Sequence, residues 1–399
     1  MKNRFLILLS FVLIVGRDVV CANTSMVRER ININRDWRYQ IDDPDGVGAA
    51  LHYSRLKPYL LPCANDFIIF GKRYQRPEGN PGENIAYVKS DFDDSEWRHL
   101  NLPHDWAIEG PFNIDYNGST GKLPYWGIRW YRKTLELSQD DAGKQIYLDI
   151  DGAMSYVSVW CNGQYVGGWP YGYASFRLDL TPYIKAGQKN VLAIRLDNPD
   201  DTSRWYPGSG IYRNVWLVKT SPVHVEQWGT FVRNQQVDSE IAVMEMGVNI
   251  ENHAGKDVQV KLQTSVYLQG KDGRPVGEEV TQSMTKDIAI KKDSWSSARF
   301  QFKVDKPKLW DIDTPNCYVA VSRVFMDGKE MDSYETPFGI RTIEFTHNQG
   351  FMLNGQKVAI KGVCMHHDLG ALGAAFNEVA AERQLRLSLI HISEPTRLD

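Results

Sequence analysis

The sequence is poor in cysteine, and no two of its cysteines lie close together. Of the five, Cys21 falls near the start, and Cys63, Cys161, Cys317 and Cys364 are far apart with no CxxC pair. That spacing excludes a cysteine-based zinc site. Buried free thiols are the reading, with disulfides permitted by export but not required. Neither charge dominates: 46 basic against 49 acidic side chains leave a formal net charge of -3. No nucleic-acid or acidic-membrane partner is expected from that balance. The apolar run at residues 5–15 is too short to span a bilayer. Residues 31–218 hold no long amphipathic helical stretch.

The first residues read as an export signal. Lys2 and Arg4 supply positive charge, the apolar run follows, and Val20-Cys21-Ala22 offers small residues for cleavage after Ala22. Residues 1–22 are therefore expected to be a signal peptide, and the protein periplasmic or extracellular. Cys21 offers a lipidation alternative, against which Asp18-Val19-Val20 is a poor preceding sequence. With 42% hydrophobic residues over 399 positions, two or three domains are expected.

Residues 31–218 read as β throughout, with alternating runs such as 145–150, 156–161 and 191–196 separated by turn residues. Asn162-Gly163 between two such runs predicts a tight hairpin, because both central residues of a type I′ turn need positive φ. A double-sheet jelly roll over 23–220 fits best. Runs at 241–250, 258–268 and 317–325 predict a second sandwich over 221–340, about the length of one immunoglobulin-like domain, without a Cys…Trp…Cys framework. A hairpin follows at 343–353, with Asn354-Gly355 as its second turn. Residues 358–363 are a continuous apolar run of the kind a buried parallel strand shows. Asn377 is a credible N-cap for a helix beginning with Glu378. Strand, polar loop and helix over 341–386 are the opening unit of an α/β barrel. The predicted class is mainly β: jelly roll, immunoglobulin-like sandwich, then the first βα unit of a truncated TIM barrel.

Four stretches carry a resemblance to a known family. They are Leu102-Pro103-His104-Asp105-Trp106; Asp197-Asn198-Pro199 with Arg204-Trp205-Tyr206-Pro207-Gly208-Ser209-Gly210-Ile211-Tyr212-Arg213; Phe338-Gly339-Ile340-Arg341; and Lys361-Gly362-Val363-Cys364-Met365-His366-His367-Asp368. Trp160-Cys161-Asn162-Gly163 adds to them. In this order the chain resembles glycoside hydrolase family 2, which contains β-galactosidases, β-glucuronidases and β-mannosidases. The His-His-Asp-Leu-Gly ending is most similar to β-galactosidases. The resemblance implies a retaining O-glycosyl hydrolase in carbohydrate catabolism, with a β-linked oligosaccharide or polysaccharide as substrate. Some of the 12 Trp and 19 Tyr would then be stacking platforms for sugar rings.

Such hydrolysis needs two carboxyl groups about 5 Å apart. In the family both are glutamates on later barrel strands, and a barrel takes about 250 residues. Past Arg341 the chain runs only to Asp399, so no catalytic residue is assigned and the chain is expected to be inactive. His366, just past the first barrel strand, is the leading substrate contact, since the resemblance implies an imidazole touching a sugar hydroxyl there. His367 and Asp368 are weaker candidates, and Asp368 also reads as a loop-capping carboxylate. Tyr171, in the loop 167–175, stands near where large relatives place an acid, which removes grounds for a sodium site. No metal or cofactor is assigned. Arg204, Trp205, Tyr206 and Arg213 read as an interdomain packing corner, with an arginine pairing with a carboxylate such as Asp197.

Residues 387–399 break the family pattern, and Pro395 cannot lie inside a helix. The string Leu387 to Arg397 matches the translation of a transposon-based sequencing adapter, so the expectation is that this tail is not native. A non-catalytic carbohydrate-binding fragment is the competing reading.

Overall fold

The structure is a computed structural model that describes residues 27–68, 72–200, 203–360, 362 and 365–393. The expected signal peptide, Cys21, Cys364 and residues 394–399 lie outside the described residues. Two antiparallel sheets form the first domain. One runs Glu29–Asn32, Val215–Thr220, Gln145–Ile150 and Phe176–Asp179 in spatial order. The other runs Arg98–Leu100, Trp37–Ile41, Gly127–Glu136, Lys189–Asn198, Val157–Cys161 and Gln164–Trp169. Between them Leu148, Ile150 and Leu217 meet Val159, Ile194 and Leu196 in one core, as alternating strands facing one another require.

The Asn162-Gly163 turn joins its two strands as expected, with φ of 51° and 79°. The Asn162 amide also binds the carbonyl of Tyr183 at 2.9 Å, Asn190 Oδ1 at 2.7 Å and the N–H of Val191 at 2.9 Å.

The reading of residues 31–218 as β throughout needs correction. Between Trp37–Ile41 and Arg98–Leu100 the chain forms a short 3-10 turn, Gly48–Leu51, an α-helix, Tyr53–Leu60, and further 3-10 turns. The cause lies on the outer face of the six-stranded sheet, where Trp130, Trp160 and Tyr165 would otherwise meet water. The two indoles stack at 5.4 Å, and Leu51, Leu56, Leu60, Ile85 and Val88 from the inserted segment bury them. Both indole N–H groups are satisfied, by Asp43 Oδ1 at 2.9 Å and the carbonyl of Pro81 at 2.7 Å.

In the second sandwich Val223–Val237, Ile241–Asn252 and Ser294–Asp305 form one sheet. The other holds Pro275–Val276, Val258–Gln269, Tyr318–Met326 and Lys329–Phe338, with Met284–Ile290 also on Val258–Gln269. Ala242, Met244, Met246, Val248 and Ile250 point into the core at period two. Arg28, just ahead of the jelly roll's first strand, reaches this domain through paired bonds to Asp332 of 2.9 and 2.7 Å. Asp332 is fully buried and also accepts the N–H of Val225 at 2.7 Å.

After the sandwich, Ile343–Thr346 pairs with Gly350–Leu353, which turns at Asn354-Gly355 into Gln356–Lys357. Residues 358–360 are not in a strand, contrary to expectation, and Ile360 is 73% exposed. An apolar parallel strand is stable only with partners at its edges and layers on both faces. Among the described residues this segment has a single ladder-like bond, Val358 N–H to the Phe351 carbonyl at 3.1 Å. The helix Glu378–Ser393 does form, with Asn377 Oδ1 accepting the Ala380 N–H at 3.0 Å. Cys161 and Cys317 are free thiols, and burial pushes Cys161 up to about 12. Among the described residues no helix is long and apolar enough to cross a membrane.

Candidate functional site

The candidate residues meet where three segments of the chain converge on one rim of the jelly roll. The first is the loop 167–175. Gly172 lies so close to Met154 that a Cβ there would collide with its sulfur, and Gly172 O accepts the Tyr212 hydroxyl at 2.8 Å. That pinned glycine separates Tyr171, 61% exposed, from Tyr173, whose rings meet edge to face at 5.6 Å.

The second segment is 203–213. Trp205 donates its indole N–H to the Tyr173 hydroxyl at 3.0 Å, which fixes the two rings together. The expected packing corner is there, but with different partners. Arg213 lies over the Phe376 ring at 5.9 Å. Asp197 pairs with Arg195 at 3.3 Å rather than with Arg204 or Arg213, because Arg195 and Asp197 alternate onto the same face of one strand.

The third segment, 365–376, brings the histidines. His366 is exposed, with its ring 5.3 Å from Trp205. His367 is half-buried between Tyr173 and Tyr212, each ring 5.2 Å away, and its Nε2–H donates to the Pro207 carbonyl at 3.0 Å. Burial pulls the His367 pKa down, so the ring is neutral with its proton on Nε2. Asp368 is half-buried in a turn, where its carboxylate faces the Gly370 N–H at 3.5 Å and its carbonyl accepts from Gln384 at 3.1 Å. Tyr171, His366 and His367 thus share one patch with Tyr173 and Trp205, while Asp368 sits towards the helix.

The residue that sequence reading missed is Asp105, 1% exposed beneath this patch. Its Oδ2 accepts the Tyr206 hydroxyl at 2.5 Å and the Ala374 N–H at 2.8 Å, and its Oδ1 accepts the Ala107 N–H at 3.1 Å. Burial raises its pKa against these donors. Neighbouring His104 bonds Tyr131 at 2.8 Å and Glu109 at 3.1 Å, and Arg98 clamps Glu109 with two bonds of 2.6 and 2.7 Å. The bond from His104, helped by Arg98, brings Glu109 down to about 2. Both acids stood in or beside a motif already singled out, but their partners are not visible from spacing.

Chemically, the patch offers aromatic faces and imidazole hydrogen bonds. Asp105 already holds three donors and the Asp368 carboxylate faces a turn N–H, so neither is presented as one of a nucleophile and acid pair. A group of potential metal ligands stands apart from the patch, His224, Glu251 and His253.

Comparisons with known proteins bear on the two sandwiches that carry these residues. A family model described as the sugar binding domain of glycosyl hydrolases family 2 matches residues 87–221, and the model of glycosyl hydrolases family 2 matches 223–341. A Bacteroides ovatus β-galactosidase, BoGH2A, is 42% identical over 372 residues, which cover 92% of this chain and 38% of that protein. A Bacteroides fragilis β-glucuronidase is 27% identical over 317 residues, 74% of this chain and 43% of that protein. A crystal structure of a family 2 member from Bacteroides cellulosilyticus superposes with a TM-score of 0.75 at 30% identity, over 90% of this chain and 41% of that one. The chain therefore spans well under half the length of these relatives.

Proposed function

Because this chain belongs to glycoside hydrolase family 2, we propose that the whole protein is a retaining β-galactosidase and that this chain supplies its non-catalytic front end. The observation that carries the reading is likeness along nearly the whole chain to the Bacteroides ovatus β-galactosidase. Residues 341–386 then open the catalytic barrel, both catalytic glutamates lie beyond Arg386, and the protein is exported. In this reading His366 reaches a hydroxyl of the sugar in the first subsite, and His367 holds the rim in place through Pro207. Tyr171 and Trp205 offer the sugar's C–H face a surface to stack on.

A second reading, β-glucuronidase, is favoured by the Bacteroides fragilis relative. The experiment expresses the reading frame as it continues past Arg386 in the source DNA, read from a library made without transposon adapters. The product is assayed on p-nitrophenyl β-galactoside, β-glucuronide and β-mannoside. Galactoside should be hydrolysed with kcat/KM at least about tenfold above the others, a gap of ~1.4 kcal/mol. Preference for glucuronide transfers the reading to the second, and inertness towards all three sinks both.

A further inference from the structure

We propose that His224, Glu251 and His253 bind a first-row divalent transition metal, zinc foremost, at the joint between the jelly roll and the second sandwich. The three groups converge because of strand register. His224, at the start of Val223–Val237, stands directly opposite Glu251 in the neighbouring strand, and His253 follows Glu251 by two positions. The three ligand atoms lie within 4.8 Å of one another.

The distances fit a shared cation better than direct hydrogen bonds. Nε2 of His224 and Nε2 of His253 each lie 3.3 Å from the same oxygen, Glu251 Oε2. A charge-assisted N–H···O bond would draw in to about 2.7–2.9 Å. Ligands about 2.0–2.1 Å from a tetrahedral zinc sit roughly 3.3–3.4 Å apart, which is this spacing. The outer contacts also suit a metal. His224 Nδ1 is 2.9 Å from the Ser221 carbonyl, so the proton belongs on Nδ1 and the Nε2 lone pair faces Glu251.

Two imidazoles and one carboxylate leave a fourth position open. Tyr147 of the jelly roll places its hydroxyl 3.3 Å from His224 Nε2, and a cavity of about 460 Å³ beside it is lined by Tyr147, Asp179, Trp228, Glu251 and His253. The opposing charge of Arg28 is matched by its paired bonds to Asp332. All three ligands belong to the second sandwich, so a metal here fastens Val223–Val237 to the end of Ile241–Asn252 directly beneath Tyr147 of the jelly roll.

The test uses the full chain, stripped with EDTA and titrated with zinc chloride by calorimetry, with thermal unfolding read alongside. One equivalent should bind, and zinc should raise Tm. His253→Ala at the half-exposed position and the near-isosteric Glu251→Gln should each weaken binding by at least about tenfold, since losing even an outer partner of a ligand costs that much. His366→Ala, in the other histidine cluster, should leave binding unchanged. Absence of zinc uptake overturns the proposal, as does uptake that survives either ligand substitution or that vanishes with His366→Ala.

Discussion

Asp105 in the jelly roll accepts the backbone N–H of Ala374, 269 residues further along the chain, at 2.8 Å. The same oxygen holds Tyr206, and the Phe376 N–H bonds the Tyr212 carbonyl at 2.9 Å, so the histidine-bearing segment is fastened to the first domain at Ala374 and again at Phe376.

Asp105→Ala removes the acceptor of three donors, the Tyr206 hydroxyl and the N–H groups of Ala374 and Ala107. The expected cost is about 1–3 kcal/mol, concentrated in this segment. Limited proteolysis should show faster cleavage within residues 362–376 than in the unsubstituted chain. Equal rates would mean that the segment is held by other contacts.

Arg28→Ala should cost about 3–5 kcal/mol, because Asp332 would be left a fully buried carboxylate with no cation beside it. Urea unfolding followed by tryptophan fluorescence reads this directly. A loss below about 1 kcal/mol, the surface-pair range, would show that the pair does not join the two domains.

Asn162→Ala and Gly163→Ala form a graded pair. A Cβ at Gly163 meets the Val88 carbonyl at 3.7 Å, ordinary contact, so that change costs only the strain of positive φ, about 1 kcal/mol. Asn162→Ala loses three hydrogen bonds besides and should cost more, about 2–3 kcal/mol. The reverse order in a denaturant midpoint series would contradict this account of the turn.

Glu109 sets an acid sensitivity. Its carboxylate is held below its ordinary value by His104 and Arg98, so the stability it contributes is complete above pH 4.5 and lost as pH falls towards 2. Glu109→Gln should therefore lower Tm at pH 7, change it little near pH 2, and so flatten the fall of Tm between pH 4.5 and 2. An unchanged slope would assign the acid sensitivity to other carboxylates.

Much of this arrangement is legible in the sequence where the cause is local. The Asn162-Gly163 turn, the period-two burial around Met244 and Met246, and the Asn377 cap all follow from neighbouring residues. The helical insert over Trp130 and Trp160 is not legible, because the need for cover arises only once both indoles lie on one sheet face. Asp105 is visible as part of a motif, but its partner Ala374 is brought to it by the tertiary fold. His224 and Glu251 become neighbours only through strand register, although Glu251 and His253, two positions apart at a strand end, are a readable signal. Residues 358–360 have the apolar composition of a buried strand, yet composition supplies no partner strands.

The most direct test of the central claim compares this 399-residue chain with the product of the continued reading frame on one substrate, p-nitrophenyl β-galactoside. The account predicts turnover by the longer protein and none by the chain, because it proposes the sugar-contacting rim in this chain and both catalytic glutamates past Arg386. Galactoside hydrolysis by the 399-residue chain itself, or a longer protein that hydrolyses no β-glycoside, would contradict it.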